Sequence, residues 1–448
     1  MLRSKRSQCK RALFVVLAAW LLFVFLLSFP ATQDANSRGI KPWIQWGKDS
    51  WEKFKLSTSF STFLCDSSGT RNLQNSASGC YLSEKLSCSK LPTLHSAFVE
   101  STRDEVVFVG VRSYEDDWDA ERYICEFPNG EMSITDPIVK DFLSFGGYPQ
   151  YLIIITCPVP HHFMTQVKQH TIGRFRVNFR LLSNPEYAYM GVPVCLTEKE
   201  QRFLSLCTMV KDMSKFIPDW MYYYKKLGVE HVYIYDNDPN ATMSGDLEGY
   251  IESGFLTIIP WAHTPSPNKT YLEVQIAHEN DCLWRHRHNT HWMLKVDVDE
   301  FVQPMDPVRT KITDYLQDPY LSSLGTVRIR NWFFGRPPYA KKKVVEAKTV
   351  FERNPWRTPS ATKENRGRDK CIIRPINVHY FKIHGVKVGS DTLTLDPESE
   401  LRLVHYRKDN PRHEGFRMHQ FVKDESMIDM WSEMTGGRVV SPEWFTLH

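Results

Sequence analysis

Between residues 203 and 406, short apolar runs alternate with segments whose apolar positions recur every three or four residues. Residues 203–210 read as a strand. Ile217, Trp220, Met221, Tyr224 and Leu227 then mark one face of a helix over 214–226, with Ser214 as its cap and Gly228 as its stop. A strand over 231–237 runs into polar residues. Residues 246–253 read as helix, 255–261 as extended and 271–288 as helix again, followed by an apolar strand that begins at Trp292. Strand and helix alternating in this way predict an α/β domain, a mostly parallel sheet with helices on both faces. Further strands are expected at 327–334, 370–375 and 401–406. Residues 335–369, rich in proline and mixed charge, read as an irregular loop over a site. The tail over 416–431 has helical spacing.

The chain before residue 194 has a different texture. Short β-like runs at 105–111, 123–127 and 151–156 are separated by turn signals such as Pro128-Asn-Gly130. They predict a small β-rich module over 65–193, a packing subdomain or a carbohydrate binder. Residues 30–64 are polar, with Gly39 and Pro42, and read as a stem. Ahead of them, Arg3, Lys5, Arg6, Lys10 and Arg11 precede an uncharged run over 12–29. As a helix that run is about 27 Å long, enough to cross a bilayer. Its positive flank, residues 1–11, stays in the cytosol. The expectation is a signal anchor that leaves the rest of the chain lumenal; a cleaved signal peptide is the alternative.

The net charge of +4 is too weak to argue for nucleic acid. Of ten cysteines, Cys9 is on the cytosolic side. Cys65, Cys80, Cys88, Cys125, Cys157, Cys195, Cys207, Cys282 and Cys371 would meet an oxidising lumen, where disulfides persist. Their pairing cannot be read from spacing. Sequons at Asn240 and Asn268 agree with a secretory route.

The chemistry concentrates at strand ends, where ligands bind in open α/β sheets. Lys211 and Asp212 follow the first strand, Asp236 and Asn237 the second. In Trp292-Met-Leu-Lys-Val-Asp-Val-Asp-Glu-Phe301 an apolar strand ends in three carboxylates. Alternation turns Asp297 and Asp299 to one side, a hard-oxygen pair suited to Mn²⁺ or Mg²⁺. An ion so held neutralises a diphosphate leaving group, the chemistry of sugar-nucleotide transfer. The same carboxylates suit a helix start, the plainer reading. The basic run Arg285-His-Arg-His288 either approaches a diphosphate or is solvated at a helix end.

Several pieces in order resemble glycosyltransferase family 92: Val210-Lys-Asp-Met, Phe216-Ile-Pro-Asp-Trp220, Leu227-Gly-Val-Glu-His-Val-Tyr-Ile-Tyr-Asp-Asn237, Asn280-Asp-Cys282, Val296-Asp-Val-Asp-Glu-Phe301, Lys370-Cys-Ile-Ile-Arg-Pro375 and His405-Tyr-Arg407. The resemblance covers roughly 194–425 and leaves 426–448 as a tail. It implies a GT-A, Rossmann-like catalytic domain in a type II Golgi membrane protein. The implied activity is inverting transfer from a UDP-sugar, typically UDP-galactose, with Mn²⁺.

On that footing Asp236 would hold the uracil or ribose, Asp297 the ribose or metal, and Asp299 the metal. His405 is the first choice for a histidine ligand and His384 the second; each is otherwise a structural histidine. The acceptor is a glycan on a glycoprotein, glycolipid or polysaccharide, and its hydroxyl needs a carboxylate base. Glu352 is the first choice, with Asp369, Glu346 and Glu364 behind it. Trp332, Phe333, Phe334 and Trp356 are candidates to stack on sugars or to fill the core. Two other classes remain in view: a catalytically inactive sugar-binding type II membrane protein, and a two-metal hydrolase, which would want more converging Asp and His ligands.

Overall fold

The computed structural model describes residues 81–436 except 83–84, 89, 101, 114–120, 144–149, 170–172, 198–199, 212–216, 239–246, 266–270, 336–348, 363–367 and 407–419. The basic segment 1–11, the expected membrane span 12–29 and the stem 30–64, together with Asp212, Glu346 and Glu364, lie outside the described residues. Among those described, no helix is long and apolar enough to cross a membrane.

The alternating segments form a mixed α/β fold. Its strands and helices of interest are β1 (Arg202–Val210), α1 (Ile217–Lys226), β2 (His231–Asp236), β3 (Leu256–Pro260), α2 (Leu272–Arg285), β4 (Thr290–Lys295), β5 (Glu300–Pro304), β6 (Thr326–Gly335), β7 (Lys370–Ile373) and β8 (Leu401–Tyr406). The sheet runs β3-β2-β1-β4-β7-β6, and its first four strands are parallel. β7 enters antiparallel between β4 and β6, and β8 lies parallel to β6 with β5 antiparallel on its outer side. Chain order reverses between β1 and β4. In a sheet of this kind that reversal opens a crevice beyond the carboxyl ends of the two strands.

Helix α1 forms where the sequence predicts. Ile217, Trp220, Met221, Tyr223 and Tyr224 are its buried residues, packed in the same core as Leu204, Leu206, Val232 and Leu294 of the sheet. Burying each such large apolar side chain contributes on the order of 2 kcal/mol. The helix stops at Gly228, whose φ of +95° is left-handed backbone open to glycine; a Cβ there would come within 2.6 Å of Thr313 Oγ1.

Among the described residues of 86–195, nine strands pair antiparallel in sheets of five and four. The stretch does more than pack on itself. Phe98, Val107, Val109, Leu152 and Ile154 share one core with Tyr235, Trp261 and the α2 residues Val274, Ile276, Leu283 and Trp284. Helix α2 is therefore buried along nearly its whole length, a placement its mixed sequence does not announce. Its charges are met inside: Arg285 donates to Asp281 at 2.8 and 3.1 Å and to Ser96 Oγ at 2.8 Å, while Tyr235 OH donates to Asp281 at 2.5 Å. The basic run is thus not solvated at a helix end. The Arg285 side chain is the internal partner of Asp281 and lies over Phe98, and the Arg287 guanidinium lies over Trp284.

Two disulfides are formed among the described residues, Cys125–Cys157 and Cys207–Cys282; the second pins α2 to β1. Cys88 and Cys195 are also disulfide-bonded, and Cys371 is a buried free thiol. The irregular stretch before β7 contains a one-turn helix, Val350–Arg353, and a two-residue strand, Trp356–Arg357. The last helix among the described residues spans Ser426–Thr435, beginning ten residues later than the helical spacing at 416 suggests, and packs Met427 and Trp431 into the main core.

Candidate active site

The acidic motif sits where the crevice argument places it. β4 ends at Lys295, the chain turns through Val296, Asp297, Val298 and Asp299, and β5 begins at Glu300. The turn is closed by Glu300 N–H donating to the Asp297 carbonyl at 3.1 Å and by Asp297 N–H donating to Glu300 Oε2 at 2.8 Å. Helix α1 fixes the start of β5. Trp220 Nε1 and Tyr224 OH both donate to the Glu300 carbonyl, at 3.2 and 2.9 Å, and Tyr223 OH donates to the Val302 carbonyl at 2.8 Å. An aromatic helix face that looks like ordinary core thus sets the position of the motif.

The β5–β8 ladder places His405 directly opposite Glu300. The two aspartates then part company. Lys370, the first residue of β7 and 2 % exposed, bonds Asp297 Oδ2 at 2.7 Å and faces Glu300 Oε2 at 3.1 Å. Asp299 Oδ2 lies 3.3 Å from His405 Nε2, and His405 Nδ1 lies 3.5 Å from Glu300 Oε1.

The electrostatics follow from this packing. Burial alone would push Lys370 down, but Asp297 and Glu300 outweigh it and hold its ammonium well above the ordinary range. Burial pulls Asp297 upward, and Lys370 more than reverses that. For His405, burial works against protonation, yet the Asp299 and Glu300 carboxylates raise it above its usual value. Glu300 itself is raised by burial. Beneath the motif, Lys295 donates to the Glu279 carbonyl at 2.9 Å; burial lowers this lysine and raises the Glu279 carboxyl.

Among the described residues no three His, Cys, Asp or Glu side chains form a ready metal cage. Asp299 and His405 form a partial one. An octahedral ion with bonds of about 2.1 Å holds adjacent donors about 3 Å apart. The 3.3 Å between Asp299 Oδ2 and His405 Nε2 matches that edge, and carboxylate plus imidazole suits Mn²⁺. These two residues fit a divalent ion; substrate and water oxygens would complete its shell. Asp297 Oδ2 is bonded to Lys370.

The other expected residues are distributed as follows. Lys211 is exposed at the end of β1. Asp236 is buried at the end of β2, with Oδ1 accepting from Asp238 N–H at 2.9 Å. The Asn237 amide stitches three elements: Nδ2 donates to the Trp261 and His263 carbonyls at 2.6 and 2.9 Å, and Oδ1 accepts from Tyr271 OH at 2.7 Å. His384 follows Ile383, whose φ of +49° is unusual for a β-branched residue and is backed by Ile383 N–H donating to Glu279 Oε2 at 2.8 Å. His384 Nδ1 lies 3.0 Å from the Asp369 carbonyl, and burial, with Lys370 nearby, lowers it to about 4.

Asp369 precedes Lys370. Its carboxyl is raised by burial, Oδ1 accepts from Asn331 N–H at 3.2 Å, and Oδ2 makes no hydrogen bond among the described residues. Glu352 closes a capping box on the one-turn helix, accepting from Thr349 N–H at 3.1 Å. Trp332, Phe333 and Phe334 are buried in the core, leaving the half-buried Trp356 as the one of the four with a partly open face. Lys370 and Glu300 are the site residues without an expected role. The available signal for Lys370 is a lysine opening an apolar strand, a position that reads as a solvated edge until its partner is known.

Residues 203–438 match the description of glycosyltransferase family 92. That is more than half of the chain, and the chain belongs to that family. A family 92 protein from Ricinus communis is 30% identical over 135 residues, 30% of this chain and 21% of its own length. Another, from Oryza sativa, is 26% identical over 191 residues, 40% of this chain and 30% of its own. The chain thus spans well under half the length of the curated relatives it matches. Among solved structures, S. aureus TarS 1–349 in complex with UDP aligns at 12% identity over 46% of this chain and 61% of that one, with a TM-score of 0.28, a similarity too low to carry an argument.

Proposed function

We propose that this chain is a metal-dependent inverting glycosyltransferase of GT-A architecture that moves galactose from UDP-galactose to a glycan hydroxyl. The observation that carries the reading is the Asp299–His405 pair, 3.3 Å apart, at the switch point of a sheet whose first four strands are parallel, in a family 92 chain. Asp299 and His405 would hold Mn²⁺ or Mg²⁺. The bound ion supplies charge neutralisation to the diphosphate leaving group. Asp236 stands two strand spacings from β4, about 10 Å, a span that suits ribose or base contact at one end and diphosphate at the other. Lys211, exposed just after β1, flanks the crevice between them.

The chain's own residues do the positioning. Lys370 keeps Asp297 ionised and bonded to it, so Asp299 is the aspartate of the motif that faces His405. Asp369 is the favoured base for the acceptor hydroxyl, because its raised carboxyl is better matched to proton abstraction near neutral pH. Residues 12–29 would anchor the protein as a single-pass type II Golgi membrane protein with the disulfide-bonded portion in the lumen.

The test is the full-length chain in detergent micelles, incubated with a panel of UDP-sugars and glycan acceptors, with and without Mn²⁺. Metal-dependent UDP release from UDP-galactose supports the reading. Release from another sugar nucleotide corrects the donor. Silence across the panel, with glycans still bound, supports a sugar-binding protein that has lost its activity.

A further inference from the structure

Glu300 is 1 % exposed, yet each of its carboxylate oxygens faces a different cation or potential cation. Oε2 accepts from Asp297 N–H at 2.8 Å and faces Lys370 Nζ at 3.1 Å. Oε1 lies 3.5 Å from His405 Nδ1, a buried nitrogen that makes no hydrogen bond among the described residues. On the other side of the same ring, Nε2 points at Asp299. The backbone of Glu300 cannot drift, because Trp220 and Tyr224 hold its carbonyl and the ladder holds it opposite His405.

An imidazole that offers Nε2 as a ligand must keep its proton on Nδ1, and an acceptor beside Nδ1 is what keeps it there. A buried carboxylate in that position is costly unless a cation compensates it. Lys370 is that cation.

We propose that Glu300 is a positioning residue. Its side chain orients the His405 ring so that Nε2 stays turned to Asp299, and Lys370 fixes the other carboxyl oxygen of Glu300 in place. This rests on the metal-dependent reading above, and it assigns Glu300 and Lys370 work that the acidic motif alone does not predict. The competing account is that Glu300 only balances the charge of Lys370.

The experiment titrates Mn²⁺ into the full-length chain and follows free Mn²⁺ by electron paramagnetic resonance, which reads binding without turnover. Four proteins are compared: wild type, Glu300→Gln, Glu300→Leu, and the double variant Glu300→Leu with Lys370→Met. Glutamine keeps an oxygen facing Nδ1; leucine removes it; the double variant removes the acceptor and the buried cation together. The expected result is Mn²⁺ affinity weakened about 10- to 100-fold in Glu300→Leu, affinity within a few-fold of wild type in Glu300→Gln, and no recovery in the double variant. If Glu300→Leu does not fold, the double variant carries the comparison, since it leaves no lysine without its partner. Wild-type affinity in the double variant, or in Glu300→Leu, overturns the proposal. A wild-type chain that binds no Mn²⁺ overturns the metal reading itself, a separate result.

Discussion

Lys370 Nζ and Asp297 Oδ2 are 2.7 Å apart, and that bond divides the work of the two aspartates. Asp297 spends its charge on an internal lysine, while Asp299 faces His405. The two positions are therefore unequal although they look alike in the motif. Asp299→Asn is expected to lower metal-dependent UDP release by about 100-fold or more, since the lost contact serves charge that develops in the transition state. Asp297→Asn is expected to keep measurable turnover, because Asn can still accept from Lys370 and Glu300 remains as its counter-ion. Parallel assays across a Mn²⁺ titration check this. Equal losses in both variants would show that Asp297 also reaches the metal.

The Cys207–Cys282 bridge closes 75 residues and fastens α2, the helix shared by the main sheet and the β-rich stretch, to β1. On the chain-entropy account, a loop of that length stabilises by about 4 kcal/mol. Replacing both cysteines by alanine should lower the unfolding free energy by 2–4 kcal/mol. Urea unfolding of the full chain under chelator, with and without the bridge, measures it. A change below about 0.5 kcal/mol would mean that buried packing around α2 alone holds the helix.

The order of strands and helices was legible because periodicity survives in the sequence: 203–210, 217–226, 231–236 and 290–295 all carry the spacing of the elements they form. Placement of Asp297 and Asp299 at a strand end followed from the same pattern. Pairing was not legible. Nothing local shows that β8 lies beside β5, the contact that brings His405 to Glu300, because the two residues are 105 positions apart. Lys370 was passed over for a related reason. A lysine at the edge of an apolar run looks solvated until a distant carboxylate is brought to it. The full burial of α2 was hidden too, since Glu273, Asp281 and Arg285 give it the polar look of a surface helix, while Asp281 and Arg285 pair with each other and Ser96 and Tyr235 reach them from elsewhere in the chain.

Asp369 and Glu352 make different demands as bases. The Glu352 carboxylate is engaged by Thr349 N–H in a helix cap, and Asp369 is buried with one oxygen unbonded. Asp369→Asn is expected to reduce kcat with little change in donor KM, the pattern of a group used in the transition state. Glu352→Gln is expected to cost at most about 1 kcal/mol of local stability, the range for a cap contact, and to leave kcat within a few-fold. Steady-state kinetics with UDP-galactose separate the two. A larger kcat loss in Glu352→Gln would move the base to the one-turn helix.

His384 gives a pH dependence whose sign can be worked out. Its imidazole titrates near 6.5 when unfolded, and burial, with Lys370 nearby, lowers it to about 4 in the folded chain. Between those values the unfolded state binds a proton that the folded state refuses, so stability rises with pH there. The neutral ring's contribution is fully present above about pH 6.5 and is lost as pH falls toward 4. At about 1.4 kcal/mol per pH unit, the loss across that window is at most on the order of 3 kcal/mol. Glutamine in its place can still donate to the Asp369 carbonyl but does not titrate. The difference in unfolding free energy between wild type and His384→Gln, measured under chelator at steps from pH 7 to 4, should therefore shrink or reverse against wild type as acid is added. A difference that stays flat would show that His384 is open to protonation in the folded chain, with Nδ1 released from Asp369.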